Sequence, residues 1–320
     1  MLDKASVAVQ VYWTMQTISF GSRSLLNGIR RALKAKELRD GGDKNFMRVV
    51  NDDASTEYES ITTEACSDYV TLLNLRNWAK LGDRYVTEQV YVHTKLMIVD
   101  DLYALFGSAN INDRSLLGER DSELAMLVMD GDSYRADING KGSKRPVRRF
   151  AHELRMGIWN KLFGISGGVR PAAGLTKAIE HPGSPNSWKL IQEQAKTNAA
   201  LYEAAFTFIP RSKSLFDETK PASIIPTFNP AQNAMKQPMP FEDRFWQSTQ
   251  FDASKTTGLD SIKGFICALP TEWSKGEFNR FDFPSMLVVD AGPIPGAKAK
   301  PGESYAAAAS PKPGSVGLPS

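Results

Sequence analysis

Residues 90–110 constrain this chain more than any other stretch, because they combine apolar β-type runs with polar residues at fixed offsets. Val90-Tyr91-Val92 and Leu96 to Val99 are rich in β-branched and aromatic side chains, the composition of a strand. Tyr103 to Phe106 reads as a second strand, followed directly by Gly107-Ser108-Ala109-Asn110. Side chains two positions apart on a strand share a face, so His93 and Lys95 are expected to project together into one site. An imidazole there can attack phosphorus or donate a proton, while an ammonium neutralises phosphate oxygens. Gly107 is expected to let the backbone approach a ligand closely. The Ser108 hydroxyl and Asn110 amide can add hydrogen bonds to phosphate oxygens.

The flanking sequence alternates strand and helix patterns, which argues for an α/β layer fold. Val7 to Trp13, Phe46 to Val50 and Val70 to Leu75 read as strands. Ser24 to Ala35 places Leu25, Leu26, Ile29 and Leu33 at helical spacing. Asn51 to Ser67 is acidic, polar and without period, and reads as a surface loop. Beyond the motif, Ser122 to Met129 is a further strand and Arg135 to Arg145 a polar, glycine-containing loop. Val147, Phe150, Ala151, Leu154, Ile158 and Leu162 mark an amphipathic helix, opened by Pro146 and ended before Gly164. Its Arg148, Arg149 and Arg155 are expected on a solvated face, with contact to anionic headgroups as the alternative.

Ser187 to Ala205 reads as another helix, and Ile262 to Leu269 and Met286 to Val289 as late strands. Phe241, Phe245, Trp246 and Phe251 form an aromatic cluster expected to pack locally. Residues 291–320 are dominated by Ala, Gly, Pro and Ser and are expected to be disordered.

With 42% hydrophobic and 23% charged residues, the composition is that of a soluble globular protein. The net charge of +3 gives nucleic acid little support as a partner, since such binding usually shows a basic stripe. No apolar run is long enough to cross a bilayer, and no secretory leader is visible at Met1-Leu2-Asp3-Lys4. Cytoplasmic synthesis with peripheral membrane contact is the expectation. Two cysteines, Cys66 and Cys267, make no disulfide framework, and no Cys/His cluster suggests a structural metal.

The complete pattern H-x-K-x4-D-x6-G-S-x-N, His93 to Asn110, resembles the signature of the phospholipase D superfamily. Asn110-Ile111-Asn112-Asp113-Arg114-Ser115 and Arg120 to Ala125 are similar to the segment after the second motif of long, two-motif members. Arg149 to Gly164 resembles the helix that closes that repeat. Leu72 to Trp78 and Lys263 to Trp273 resemble the bacterial branch, which includes effectors delivered by type VI secretion. The resemblance implies an α/β fold with a phospholipase D-like mixed sheet flanked by helices. A single catalytic repeat would span residues 1–165, with an irregular accessory region at 166–290 and the tail at 291–320.

It also implies roles. His93 would be the motif histidine, Lys95 the phosphate-binding lysine, and Ser108 and Asn110 further phosphate contacts. Asp100 would hold the motif loop. Glu123 would orient a catalytic imidazole, with an ordinary strand-entry surface charge as the alternative. Catalysis in the family proceeds through a phosphohistidine and needs no metal or other cofactor. It also needs two motifs, and neither His152 nor His181 has a lysine two positions on. The expected partners are a phospholipid at a membrane surface and either a complementary N-terminal half or a second copy of the chain. A single-motif, dimeric nuclease-type phosphodiesterase and a non-catalytic lipid- or partner-binding fragment are the rival functions.

Overall fold

A computed structural model of the chain describes residues 14–82, 84–117, 121–206, 209–212, 227–229, 234–236, 258–272 and 275. The expected strand at Val7 to Trp13, the aromatic cluster at 241–251, the strand at 286–289 and the tail at 291–320 lie outside these residues. The chain divides into two compact units, one holding residues 1–69, 211–243 and 271–320, the other 70–210 and 244–270.

In the first unit a π-helical turn, Gln16–Phe20, leads into helix α1, Leu25–Asp40. Ser24 caps α1, its hydroxyl accepting from the Asn27 N–H. The buried face of α1 is Leu26, Asn27, Arg31 and Ala35, while Leu25 is largely exposed. Arg31 therefore occupies the place where the sequence suggested an apolar contact. Its guanidinium donates to the carbonyls of Ser22, Val49, Asp52, Asp53 and Ser55 and lies 4.2 Å from the Tyr58 ring centroid.

The expected strand at Phe46 to Val50 is instead a short helix, α2, Arg48–Asn51. Arg31 takes the Val49 and Asp52 carbonyls, and Arg48 bridges Asp43 and Glu57, which demands a turn rather than an extended run. The expected loop at Asn51 to Ser67 contains a 3₁₀ turn, Glu57–Ser60, and helix α3, Thr63–Cys66, whose Cys66 is buried.

The second unit carries the motif. Strand β1, Leu73–Leu81, starts later and runs further than its apolar pattern suggested, and pairs antiparallel with β2, Arg84–Gln89. Strands β3, Lys95–Val99, and β4, Tyr103–Gly107, form a hairpin. After helix α4, Asp113–Leu116, strand β5, Ala125–Val128, pairs with β4 to complete a three-stranded antiparallel sheet. A second hairpin, β6 Ser133–Ala136 with β7 Arg145–Arg148, leads directly into helix α5, Arg149–Leu162.

Pro146 lies in β7 opposite Arg135 rather than at the start of the helix. A strand with one partner tolerates a residue that cannot donate to the ladder. Helix α5 ends as expected at Gly164, where φ is +71° and a Cβ would collide with the Val169 carbonyl oxygen.

Helix α6, Thr176–Glu180, and the long helix α7, Pro185–Ala205, then build the core of this unit. Ile179, Ile191, Ala195, Tyr202 and Phe206 are buried there together with Leu259, Ile262 and Ile266. A small hairpin, β8 Thr227–Asn229 with β9 Ala234–Lys236, belongs to the first unit. The final described strand, β10 Ile266–Ala268, pairs antiparallel with the first residues of β1, and buries Cys267. Helices and small antiparallel sheets thus alternate through a mixed α/β architecture.

The β3–β4–β5 sheet has two unlike faces. Helix α5 packs against β3 and β4, and Ala104 is fully buried. On the other face, Lys95 shares its side with Met97, Val99, Tyr103, Leu127 and Met129, all of them exposed.

Candidate anion-binding half-site

Hairpin β3–β4 places the motif residues. Lys95 opens β3, opposite Gly107 at the end of β4, and the register brings the chain after β4 back to the same end of the sheet. His93 lies ahead of β3 rather than in a strand, because β2 ends at Gln89 and residues 90–94 form no ladder. Its ring is exposed and stacks on Tyr91, with centroids 6.1 Å apart. The expectation that a strand aligns His93 with Lys95 therefore does not hold. The link between the two residues is the Lys95 ammonium, which donates to the His93 carbonyl at 2.6 Å.

Gly107 is required, but for another reason than close approach to a ligand. A Cβ there would overlap the Leu124 carbonyl oxygen and lie 2.8 Å from Ala125 Cα. The missing side chain lets β5 close on β4. That contact delivers Glu123, just ahead of β5, to Ser108, just after β4. The Ser108 hydroxyl donates to Glu123 Oε2 at 2.5 Å and accepts from the Leu124 N–H at 3.0 Å. Ser115, on α4, also hydrogen-bonds Glu123, and its hydroxyl accepts from the Asn110 N–H at 3.1 Å.

These contacts hold the Glu123 carboxyl below its ordinary pKa, Ser108 most strongly, then Ser115, with the Lys95 charge adding to them. Lys95, Ser108, Ser115 and Glu123 are thus gathered at one edge of the sheet. Asn110 is exposed beside them. No hydrogen bond to the His93 ring forms among the described residues, so Glu123 is held by hydroxyls and not by an imidazole.

Asp100 stands at the far end of the hairpin. It and Asp101 have φ of 54° and 55°, and the Leu102 N–H donates to the Val99 carbonyl at 2.9 Å, a tight turn with two left-handed residues. Asp100 is exposed there, whereas its neighbour Asp101 is buried and anchors the turn to α5. The Asp101 carboxylate accepts from Arg155 Nε at 2.7 Å, Arg155 Nη2 at 2.9 Å and His152 Nδ1 at 2.8 Å. Arg155 also donates to the Ile179 carbonyl, tying α6 into the same network.

The motif spacing points to Asp100, and nothing in it singles out the aspartate one place on. The available signal was the polar pair His152 and Arg155, three residues apart on the face that Ala151 shows to be buried. Ser115 was likewise missed. Asn112 Oδ1 accepts from the Ser115 N–H at 3.1 Å, a turn-forming contact that could have flagged it.

Among the described residues there is no group of three or more His, Cys, Asp or Glu side chains that could hold a metal, and no helix is long and apolar enough to cross a membrane.

At this edge of the sheet the Ser108 hydroxyl holds the Glu123 carboxylate, and the Lys95 ammonium, bound to the His93 carbonyl, favours the ionised form through its charge. The chain belongs to the phospholipase D family, whose model matches residues 12–215. It is 32% identical over 205 residues to phospholipase D B of Dictyostelium discoideum, an alignment covering 64% of this chain and 14% of that protein. It is 34% identical over 209 residues to phospholipase D zeta 1 of Arabidopsis thaliana, covering 64% and 16%. It is 38% identical over 143 residues to phospholipase D2 of Bos taurus, covering 45% and 14%. The chain therefore spans only a small part of the length of these relatives.

Proposed function

We propose that the chain is one half-site of a phospholipase D-type phosphodiesterase, which hydrolyses glycerophospholipids to phosphatidate and a free headgroup. The observation that carries this reading is the Ser108 hydroxyl bound to the Glu123 carboxylate at the sheet edge where Lys95 begins β3, its charge acting on the same carboxylate from a distance. A hydroxyl that already holds an anionic oxygen, with a lysine charge nearby, can hold the oxygens of a phosphodiester instead.

In this reading His93 supplies the acid. A histidine from a second motif attacks phosphorus, forming a P–N bond while the P–O bond to the headgroup breaks. His93 protonates the departing alkoxide, then takes a proton from the water that cleaves the P–N bond and releases phosphatidate. Lys95, Ser108 and Asn110 bind the phosphoryl oxygens, and Asp100 shapes the turn. Glu123 shifts from Ser108 to an imidazole when substrate enters.

The second motif has to come from outside, because no other histidine of the chain has the lysine two positions on. The exposed apolar side chains beside Lys95, Met97 and Leu127 among them, suit a complementary N-terminal half that covers this face. The chain would act at a membrane surface as a peripheral protein.

The test is reconstitution. Phosphatidylcholine hydrolysis is measured for the monomeric chain alone and with a separately produced half carrying a first motif. Turnover is expected only in the mixture, and His93→Ala should lower it by about 10² to 10⁴. Robust turnover by the monomer would overturn the half-site reading. Turnover by a dimer of the chain on DNA, with none on lipid, would favour a nuclease-type phosphodiesterase.

A further inference from the structure

Arg148, Arg149 and Arg155 are all engaged within the chain. Arg155 is buried against Asp101, and Arg149 pairs with Asp132 and Glu153. Arg148 donates to the Asp130 carbonyl and lies over the Tyr103 ring. Arg155 is out of reach of an anionic surface, and Arg148 and Arg149 already have partners within the chain. The connection between β6 and β7 differs. Within residues 135–149 there are six basic side chains (Arg135, Lys141, Lys144, Arg145, Arg148 and Arg149) and one acid, Asp137. Lys141, Lys144 and Arg145 are exposed, and among the described residues no acidic side chain pairs with them.

The tip that carries them is braced from within. Asp137 accepts from the backbone N–H groups of Lys141, at 3.1 Å, and Gly142, at 2.7 Å. These contacts hold the Asp137 carboxyl below its ordinary pKa, so it stays ionised and bound to the loop. Gly140 and Gly142 take φ of +64° and +75°, and a Cβ on Gly140 would meet the His181 ring at 3.3 Å. The His181 ring donates from Nδ1 to the Asp137 carbonyl, and the Gly183 N–H donates to the Ile138 carbonyl. Asp137, the single acid of the segment, is therefore turned inward, while the cations point out. The root of the hairpin is fixed to the motif as well, since the Arg148 N–H donates to the Asp101 carbonyl.

We propose that the β6–β7 tip, through Lys141, Lys144 and Arg145, is an electrostatic docking surface for the anionic headgroups of a phospholipid bilayer, an inference that rests on the phospholipid reading of the site. The tip sequence Gly140 to Arg145 has no aromatic or large apolar side chain. It therefore cannot stack bases, and three cations at one point are fewer than tracking a nucleic-acid backbone needs. A bilayer asks only for charge at its surface. Each lysine or arginine near an anionic leaflet contributes about fivefold in binding, hence roughly 100-fold for three, and salt screens the effect.

The experiment is sedimentation of the full chain with vesicles of phosphatidylcholine alone or mixed equally with phosphatidylserine, at low and high salt. The wild type should bind the mixed vesicles at low salt only, and the neutral vesicles weakly or not at all. The triple variant Lys141→Glu, Lys144→Glu, Arg145→Glu should lose more than roughly 100-fold, since each reversal removes an attracted charge and adds a repelled one. Lys177→Glu, Lys189→Glu, Lys196→Glu makes the same change in net charge at exposed lysines elsewhere in the unit and should lose only a few-fold. Equal losses for the two triples, no loss for the tip triple, or release of the wild type from vesicles by a trace of duplex DNA would each overturn the proposal.

Binding and turnover separate the two readings. Tip-dependent vesicle binding with no hydrolysis after reconstitution sinks the catalytic reading alone. Hydrolysis of a soluble short-chain phosphatidylcholine without vesicle binding sinks the docking surface alone.

Discussion

At the scale of single residues, Glu123 is the most exposed to a decisive measurement. Its carboxylate is bound by the Ser108 and Ser115 hydroxyls, which favour the ionised form. A carboxyl with a depressed folded-state pKa keeps its contacts above the unfolded value and loses them as pH falls through the folded one. The side-chain carbon of Glu123, followed by NMR, should therefore titrate below an ordinary glutamate. Ser108→Ala should move the midpoint up toward the ordinary value, and Ser115→Ala should move it up less. A midpoint indifferent to Ser108 would show that the contact does not form in solution. The signature drew attention to Lys95 and Ser108 because its residues sit at fixed offsets, and the flanking resemblance drew attention to Glu123. It could not reveal that Gly107 serves the neighbouring strand, since that depends on which backbone lies across the sheet.

At the scale of elements, the joint between the β3–β4 turn and α5 rests on Asp101, Arg155 and His152, all nearly inaccessible to water. Removing one member of a buried pair leaves an uncompensated charge, which typically costs about 3–5 kcal/mol. Asp101→Asn should lower the unfolding free energy of the second unit, read from its urea curve, by an amount in that range. The double variant Asp101→Leu, Arg155→Met should recover only part of it, because the apolar pair carries no charge to desolvate but leaves His152 and the Ile179 carbonyl without these partners. Asp100→Asn, at an exposed corner, should change the midpoint little.

The longer helices and the motif strands were legible, whereas β2, α6 and the β6–β7 hairpin, its 135–145 stretch read as a loop, were not. Helix α7 and strand β4 fall where period and composition placed them, β10 takes only the last part of the run expected at 262–269, and α5 ends at the expected glycine. Three of the misreadings share one cause. At 46–50, at 90–93 and at Pro146, the local pattern was outweighed by long-range partners: the Arg31 guanidinium, the early end of β2, and a hairpin that needs no donor from proline.

At the scale of the whole chain, composition spoke only to class. Residues 172–206 and 259–268 supply most of the core beneath β1, yet 172–206 carry no motif, because burial by ordinary apolar residues leaves no signature. Each compact unit also encloses one of the two cysteines, Cys66 in the first and Cys267 in the second, both free and buried. Burial pushes the Cys66 thiol up and the Cys267 thiol up to about 12, so neither forms a reactive thiolate while its unit is closed. The two thiols are therefore built-in clocks, one per unit. Incubated with a thiol-specific chromogenic reagent in increasing urea, the chain should colour in two steps. Replacing Cys66 or Cys267 with alanine would leave a single step that times the opening of the other unit alone. Immediate full reaction in native buffer would mean that one of these interiors is open to water.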